Sequence, residues 1–206
     1  MLKIWGRANS VNVQKVLWCV DELALPYERV DLGGPFGGNN DPAYLRMNPN
    51  GLVPTIADGD LVLWESNAIV RYLAAKHGLG TLCPSDVAAR ADVDRWMDWQ
   101  LTTIQDGMRT TFWGLVRTPP DKRDVAAINA AAVSLGELWA RLDRHLADRR
   151  FVGGDAFTMG DIPVGCMAFR WLNLPVERPD VPHLQAWYGR LSERSAYRKN
   201  VMIEMT

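Results

Sequence analysis

Cysteine and histidine are scarce in this chain of 206 residues, with three of each. The cysteines Cys19, Cys83 and Cys166 are widely spaced and form no CxxC pair. An odd, scattered set argues against a disulfide framework and fits a reducing compartment. Residues 17–20 and 164–167 are apolar, so we expect Cys19 and Cys166 in the core. The histidines are also far apart, without metal-ligand spacing, and we predict no metal site.

Long apolar segments and runs of one charge are absent as well. No segment approaches the roughly 18 apolar residues of a membrane-spanning helix, and residues 1–6 are too short an apolar stretch for a signal peptide. Lysine and arginine number 23 against 24 aspartates and glutamates, so the net charge is −1. No basic patch is interleaved with aromatic residues. We therefore expect a cytoplasmic protein with no membrane segment and no nucleic-acid partner.

The chain does contain the apolar patterns of a globular protein, and its length allows one large or two modest domains. Short apolar runs predict strands at residues 2–5, 27–31, 55–57 and 61–64. Helical spacing predicts helices that begin near Val11, Asp41 and Ser66. Asp58-Gly59-Asp60 joins the last two strands and is typical of a hairpin. This order predicts a mixed four-stranded sheet covered by helices, as in a thioredoxin-like domain.

The pattern changes after residue 78. Residues 79–86 form a linker, and no strand pattern follows it. We predict one long helix over 88–116, bent at Gly107 or Gly114, a second over 121–147, and one or two short helices over 181–194. Thr158 and Asp161, three apart before an apolar run, predict a capping box at a third helix. The predicted domains are thus residues 1–78 and an all-α domain over 87–206.

Two neighbouring segments carry the candidate binding chemistry. Residues 48–56 form a tight loop that enters a strand through Val53-Pro54, and a cis bond there would leave the Val53 N–H and C=O free to pair with a peptide-like ligand. Glu65 and Ser66 follow at the start of a helix. The helix amides and the Ser66 hydroxyl suit an anion, while Glu65 suits an ammonium group. An ordinary strand-to-helix turn with a serine cap is the alternative.

Together these segments resemble the glutathione site of the cytosolic glutathione transferase superfamily, over residues 2 to about 191. The likeness is to serine-type, bacterial enzymes with some nu, theta and phi features. It implies that Val53 and Pro54 bind the cysteinyl backbone of glutathione, and that Glu65 and Ser66 bind its γ-glutamyl end. Glutathione would be a co-substrate, and no metal or bound redox cofactor is implied.

The family activates the glutathione thiol with a residue at the start of the first helix, where this chain has Ser10. A free thiol titrates near about 8.5, and a hydrogen bond or a helix N-terminus favours its charged form. Ser10 is at the right place for both, and Asn12 is a second candidate donor. Ser10 as a helix cap alone is the other reading. The Ser-x-Asn spacing resembles the Thr-x-Asn of nu-class enzymes, which are associated with disulfide chemistry.

One position departs from the family. Leu52 stands within the glutathione-binding segment where many members have Lys or Gln, and it cannot reach the glycyl carboxylate. Asn39, Asn40 or an arginine would have to take that role, and weaker glutathione binding would follow.

The resemblance places an electrophile between the domains. Its predicted pocket residues are Arg7, Ala8, Arg109, Phe112, Trp113 and Val116. Aromatic side chains suit a flat electrophile, and Arg109 suits an anionic or nitro group. Core burial is the alternative for Phe112 and Trp113.

We therefore predict a glutathione transferase that acts on a hydrophobic electrophile. The alternatives are a glutathione-dependent disulfide reductase and a non-catalytic interaction module on the same fold. Family members are usually homodimers, and the predicted apolar positions for such contact are Trp96, Met97 and Trp99, which core burial would also explain.

Overall fold

The structure is a computed structural model that describes residues 1–206. Its N-terminal part contains one sheet in the order β2-β1-β3-β4. The strands are β1 (Leu2–Trp5), β2 (Tyr27–Val30), β3 (Thr55–Asp58) and β4 (Leu61–Trp64). β1 runs parallel to β2 and antiparallel to β3, so the predicted mixed sheet is confirmed. Ile4 and Ile56 face each other in register, and both are fully buried.

Three helices accompany the sheet: α1 (Val11–Glu22), α2 (Pro42–Leu45) and α3 (Ser66–His77). α1 and α3 pack against each other. Every residue from Val13 to Val20 of α1 is buried, so the helix is covered on all sides and not only on the apolar face that the sequence predicts. All strands and these three helices lie within residues 1–77.

The remaining elements are helical. They are α4 (Val87–Trp99), α5 (Gln105–Phe112), α6 (Val125–His145), α7 (Asp161–Asn173), α8 (Pro182–Ser192) and α9 (Ser195–Asn200). None of the helices combines the length and apolarity that a membrane crossing needs. The α/β plus all-α fold class is therefore confirmed.

The predicted long helix over 88–116 is interrupted twice by π-helical turns, at Gln100–Ile104 and Trp113–Arg117. The expected bends at Gly107 and Gly114 have a different explanation. A Cβ at Gly107 would lie 3.0 Å from the Leu135 side chain, and one at Gly114 would lie 2.5 Å from Ile128. Both glycines therefore allow α6 to approach closely, and only Gly114 lies in a π turn.

α1 and α7 join the two parts of the chain. A Cβ at Gly165 of α7 would lie 2.9 Å from the indole ring of Trp18 in α1. Trp18 is fully buried and packs against Phe157 and Tyr197 of the C-terminal part. The two helices can lie this close only because residue 165 has no side chain.

Asp161 is a buried carboxylate that ties several segments together. It accepts hydrogen bonds from the Val152 N–H (2.9 Å), the Thr158 N–H (3.0 Å) and the Trp187 indole (2.9 Å). The Thr158 hydroxyl donates to it as well, at 3.3 Å. The predicted capping box is only half formed, because the Asp161 N–H donates to the Thr158 carbonyl instead of the hydroxyl.

Asp161→Asn should lower the free energy of unfolding by about 3 kcal/mol, because an amide cannot accept all of these hydrogen bonds and brings its own N–H groups against buried donors. Urea unfolding of the variant measures this. Asp155→Asn, at an exposed position in the preceding loop, is the matched control and should change stability by less than about 0.5 kcal/mol. Equal losses in the two variants would contradict the assigned role.

Candidate active site

A cavity of about 350 Å³ lies between the β1–α1 loop, the segment before β3, and helices α5 and α7. Its lining residues are Arg7, Ser10, Val11, Asn12, Leu52, Val53, Gln105, Met108, Arg109, Phe112, Trp113, Arg117, Met167 and Arg170. Most of the predicted site residues line this cavity. The exceptions are Ala8, Pro54, Glu65, Ser66 and Val116.

Ser10 precedes the first turn of α1. Its backbone carbonyl accepts the N–H of Gln14 at 2.8 Å, which begins the helix. Its hydroxyl makes no capping hydrogen bond, although the side chain is 91% buried against the cavity (relative exposure 9%). The hydroxyl also donates to no acceptor in the chain, so its proton is available to a ligand atom in the cavity.

Asn12 and Ser66 meet across the two helix starts. The Ser66 hydroxyl donates to the Asn12 side-chain oxygen at 3.4 Å. Because the Asn12 oxygen faces Ser66, its amide nitrogen points away from Ser66. That nitrogen donates to no acceptor in the chain. Glu65 lies immediately before α3 with a φ of 71°, and its carbonyl accepts the N–H of Ile69. The first amides of α3 therefore have no partner within the helix.

The segment before β3 presents free backbone groups. The Val53-Pro54 peptide bond is cis, and neither the N–H nor the C=O of Val53 has a partner in the chain. Two hydrogen bonds fix the loop before this bond, because the Leu52 carbonyl accepts the Tyr44 hydroxyl at 2.6 Å and the Asn48 amide at 2.8 Å. The Leu52 side chain is 65% exposed.

Asn39 was one of the expected partners for a glycyl carboxylate. Its amide nitrogen instead donates to the Gly51 carbonyl at 2.9 Å, within the same loop region. That hydrogen bond occupies one of its two donors.

The two aromatic residues that line the cavity, Phe112 and Trp113, differ in their exposure to solvent. Phe112 is 1% exposed and belongs to the core as well as to the cavity wall, whereas Trp113 is 48% exposed. The sequence predicted Val116 at this wall, but Arg117 lines it. The π turn over Trp113–Arg117 adds one residue to the helical repeat, so the residue that returns to the same face is one position later.

Arg170 and Arg117 are the site residues that the sequence analysis missed. The Arg170 guanidinium lies 4.0 Å from the centre of the Phe112 ring and donates to the Asn9 carbonyl at 3.1 Å. Burial, and then repulsion by Arg117, lowers the pKa of Arg170 to about 10, which leaves it charged at neutral pH. The sequence signal that could have identified Arg170 is its position as a lone charge among the apolar residues of α7.

Lys15 is a second buried cation near the site. It is fully buried on α1, and its ammonium group donates to the Gln100 side-chain oxygen at 2.7 Å. The Gln100 amide then donates to the Gln105 side-chain oxygen at 2.8 Å, and Gln105 lines the cavity. This chain of hydrogen bonds fixes the orientation of the Gln105 amide. Burial lowers the pKa of Lys15 to about 8, partly offset by Cys166 and Glu65.

Comparison with known proteins agrees with this geometry. Residues 1–75 match the family model for the N-terminal domain of glutathione S-transferase, and residues 125–190 match a model for its C-terminal domain. Glutathione S-transferase GstB of Escherichia coli is 47% identical over 100% of both chains. The chain belongs to the glutathione S-transferase family.

Solved and curated relatives support the same membership. The theta-class glutathione S-transferase of Xanthomonas axonopodis pv. citri, solved with glutathione bound, has a TM-score of 0.96 and 53% identity over 100% of this chain and 99% of that one. Glutathione S-transferase 3 of Zea mays is 29% identical over 97% of this chain and 93% of its own length.

The two family models divide the site unequally. Ser10, Asn12, Val53 and Ser66 lie inside the N-terminal match, whereas residues 105–117 lie between the two matches. The N-terminal family model therefore covers the cavity residues at the start of α1 and before β3, whereas the cavity wall from α5 lies outside both models.

Lys15→Met should change how the stability of this glutathione S-transferase depends on pH. Below about pH 8 the folded state buries a charge, and between 8 and 10.5 the unfolded chain binds more protons than the folded one. The unfolding free energy of the wild type should therefore rise relative to the variant over this window, by on the order of 3 kcal/mol. Urea unfolding at several pH values measures the difference.

Lys122→Met, at an exposed position, is the control in the same experiment, because it removes a lysine charge from the surface and not from the core. A difference between wild type and Lys15→Met that stays constant from pH 7 to 10.5 would contradict the burial of a charged ammonium group.

Proposed function

We propose that the protein is a glutathione transferase in which Ser10 stabilises the glutathione thiolate. The observation that carries this proposal is the unpaired Ser10 hydroxyl in a cavity that also presents the free backbone groups of Val53. Val53 would pair with the cysteinyl backbone. Glu65 and Ser66 would hold the γ-glutamyl ammonium and carboxylate at the start of α3. The glutathione-bound relative from Xanthomonas supports the choice of ligand.

The chemistry requires the thiol to lose its proton before it attacks. The Ser10 hydroxyl donates to the developing thiolate, the Asn12 amide offers a second donor, and the positive end of α1 favours the anion. The buried charge of Lys15 on the same helix adds to this positive potential. The thiolate then attacks an electrophilic carbon, a carbon–sulfur bond forms, and the leaving group departs with its electron pair.

Ser10→Ala should raise the pKa of bound glutathione towards that of the free thiol and slow conjugation by roughly tenfold to a thousandfold, because a preorganised donor is lost. The ultraviolet absorbance of the thiolate, titrated against pH on the protein, measures the pKa directly. Ser134→Ala, at an exposed position on α6, is the matched control. An unchanged thiol pKa in Ser10→Ala would transfer the role to Asn12 or to backbone amides.

A glutathione-dependent disulfide reductase is the second candidate. The free Asn12 amide in the cavity favours it, since this residue carries the resemblance to nu-class enzymes. The aromatic wall of Phe112 and Trp113 favours conjugation of a flat electrophile instead. Turnover of an aryl halide compared with turnover of a small mixed disulfide separates the two reactions.

The same proposal includes a cytoplasmic homodimer. Cys19, Cys83 and Cys166 are all free and buried, which is typical of a reducing compartment. The positions that the sequence suggested for the dimer contact do not suit it, because Met97 is fully buried and Trp96 and Trp99 pack against the core.

The edge strand β4 is a better surface for the second copy. Leu61, Val62 and Trp64 are 39%, 41% and 36% exposed, and the outer edge of β4 has no neighbour in the chain. An apolar edge strand left open in this way favours association.

Light scattering should give a mass of about 46 kDa, twice the 23.1 kDa of one chain. Val62→Glu should shift the mass towards one chain, since a charge would be buried in the contact. Val133→Glu, on the exposed surface of α6, should leave the dimer intact. A wild-type mass near 23.1 kDa would overturn the dimer.

A further inference from the structure

We propose that Arg7, Arg117 and Arg170 form a carboxylate-binding subsite, and that the second substrate is a small electrophile that carries a carboxylate. This inference rests on the proposed function and specifies the substrate class of the same cavity.

The first argument is the charge of the lining. Four arginines line the cavity, and no aspartate or glutamate does. None of these arginines pairs with an aspartate or glutamate side chain. Arg109 is exposed, but the other three are at least partly buried. A protein of net charge −1 therefore concentrates in one small cavity positive charge that no acidic side chain neutralises.

The second argument is that these cations repel one another. Burial lowers the pKa of Arg117, and the nearby charge of Arg7 lowers it further. Arg170 is affected in the same way by Arg117 and Arg7. Like charges that lie near one another with no acidic side chain between them destabilise the unliganded protein. An anion placed among them removes this repulsion. Guanidinium groups match a carboxylate in shape and donate in pairs.

The third argument is that the guanidinium groups are held in place with donors to spare. Arg170 is 7% exposed and uses one contact to the Asn9 carbonyl, while its plane lies over Phe112. Arg117 lies 5.2 Å from the same ring and 5.1 Å from Trp113, and it donates to the Thr206 carbonyl. Arg7 makes no side-chain hydrogen bond at all.

The position of the subsite indicates that the bound anion is a group of the second substrate. The arginines share a cavity of about 350 Å³ with Ser10 and Asn12, so an anion bound there lies beside the reacting sulfur. A halide substrate with a carboxylate would be held through that group while the thiolate attacks the carbon that bears the halogen. The carbon–sulfur bond forms, halide leaves with the bonding electrons, and the thiol proton has already gone to solvent.

The test uses two aryl halides of equal size, 4-chloro-3-nitrobenzoate and 4-chloro-3-nitrobenzamide, with each kcat/KM divided by the uncatalysed rate. The wild type should prefer the benzoate. In Arg117→Met and in Arg7→Met the benzoate-to-benzamide ratio should fall roughly tenfold to a hundredfold, the size of a lost charged hydrogen bond. Arg141→Met, at an exposed position on α6, should keep the wild-type ratio.

Equilibrium binding of the unreactive pair 3-nitrobenzoate and 3-nitrobenzamide provides a readout that needs no turnover of the aryl halides. An unchanged ratio in both arginine variants would overturn the subsite. Equal losses for both halides, with a raised KM for glutathione, would overturn it too, because the arginines would then bind the glycyl carboxylate of glutathione. Absence of turnover with either halide refutes the proposed conjugation, while tighter wild-type binding of 3-nitrobenzoate, lost in Arg117→Met, would still support the anion site.

Discussion

The close packing of α1 against α7 is the contact on which the rest of the structure depends. Trp18 lies over Gly165, where even a methyl group would collide with the ring. α1 carries Asn12 and Lys15 and begins directly after Ser10, and α7 carries Met167 and Arg170. The cavity exists because this contact sets one group of residues at a fixed distance from the other. Its chemistry is therefore divided between the two parts of the chain, and neither part forms the site alone.

Charge is distributed in the site in two ways. Lys15 is sealed in the core and acts at a distance, through its potential and through the Gln100–Gln105 hydrogen bonds. The cavity arginines are accessible from the cavity and can touch a ligand. Lys15, Arg7 and Arg170 pair with no aspartate or glutamate side chain, and burial lowers the pKa of each of them. Under the proposed function, this distribution of charge favours two anions at once, the glutathione thiolate and a charged group on the second substrate.

Ser10, Asn12 and Val53 line one cavity, and the roles that the sequence gives them stay predictions. Ser10 lies at a helix start, and Val53 and Ser66 lie within short motifs, so periodicity and resemblance place them. The opposite wall depended on tertiary structure. A π turn moved the lining position from Val116 to Arg117, and no local pattern announces such a turn. Arg170 looked like an isolated charge in a buried helix, and only packing shows that it faces a cavity.

The state of the Ser10 hydroxyl connects local structure to function. A serine before a helix ordinarily accepts a backbone N–H, and its oxygen is then committed to the helix. Here the first turn of α1 forms without that bond, while Asp86 and Asp124 do cap their helices through side-chain oxygens. Ser10 therefore differs from these two aspartates, because its side-chain oxygen accepts no N–H of the helix that follows it. The Ser10 hydroxyl also donates to no acceptor in the chain, so its proton is free to be donated to a thiolate.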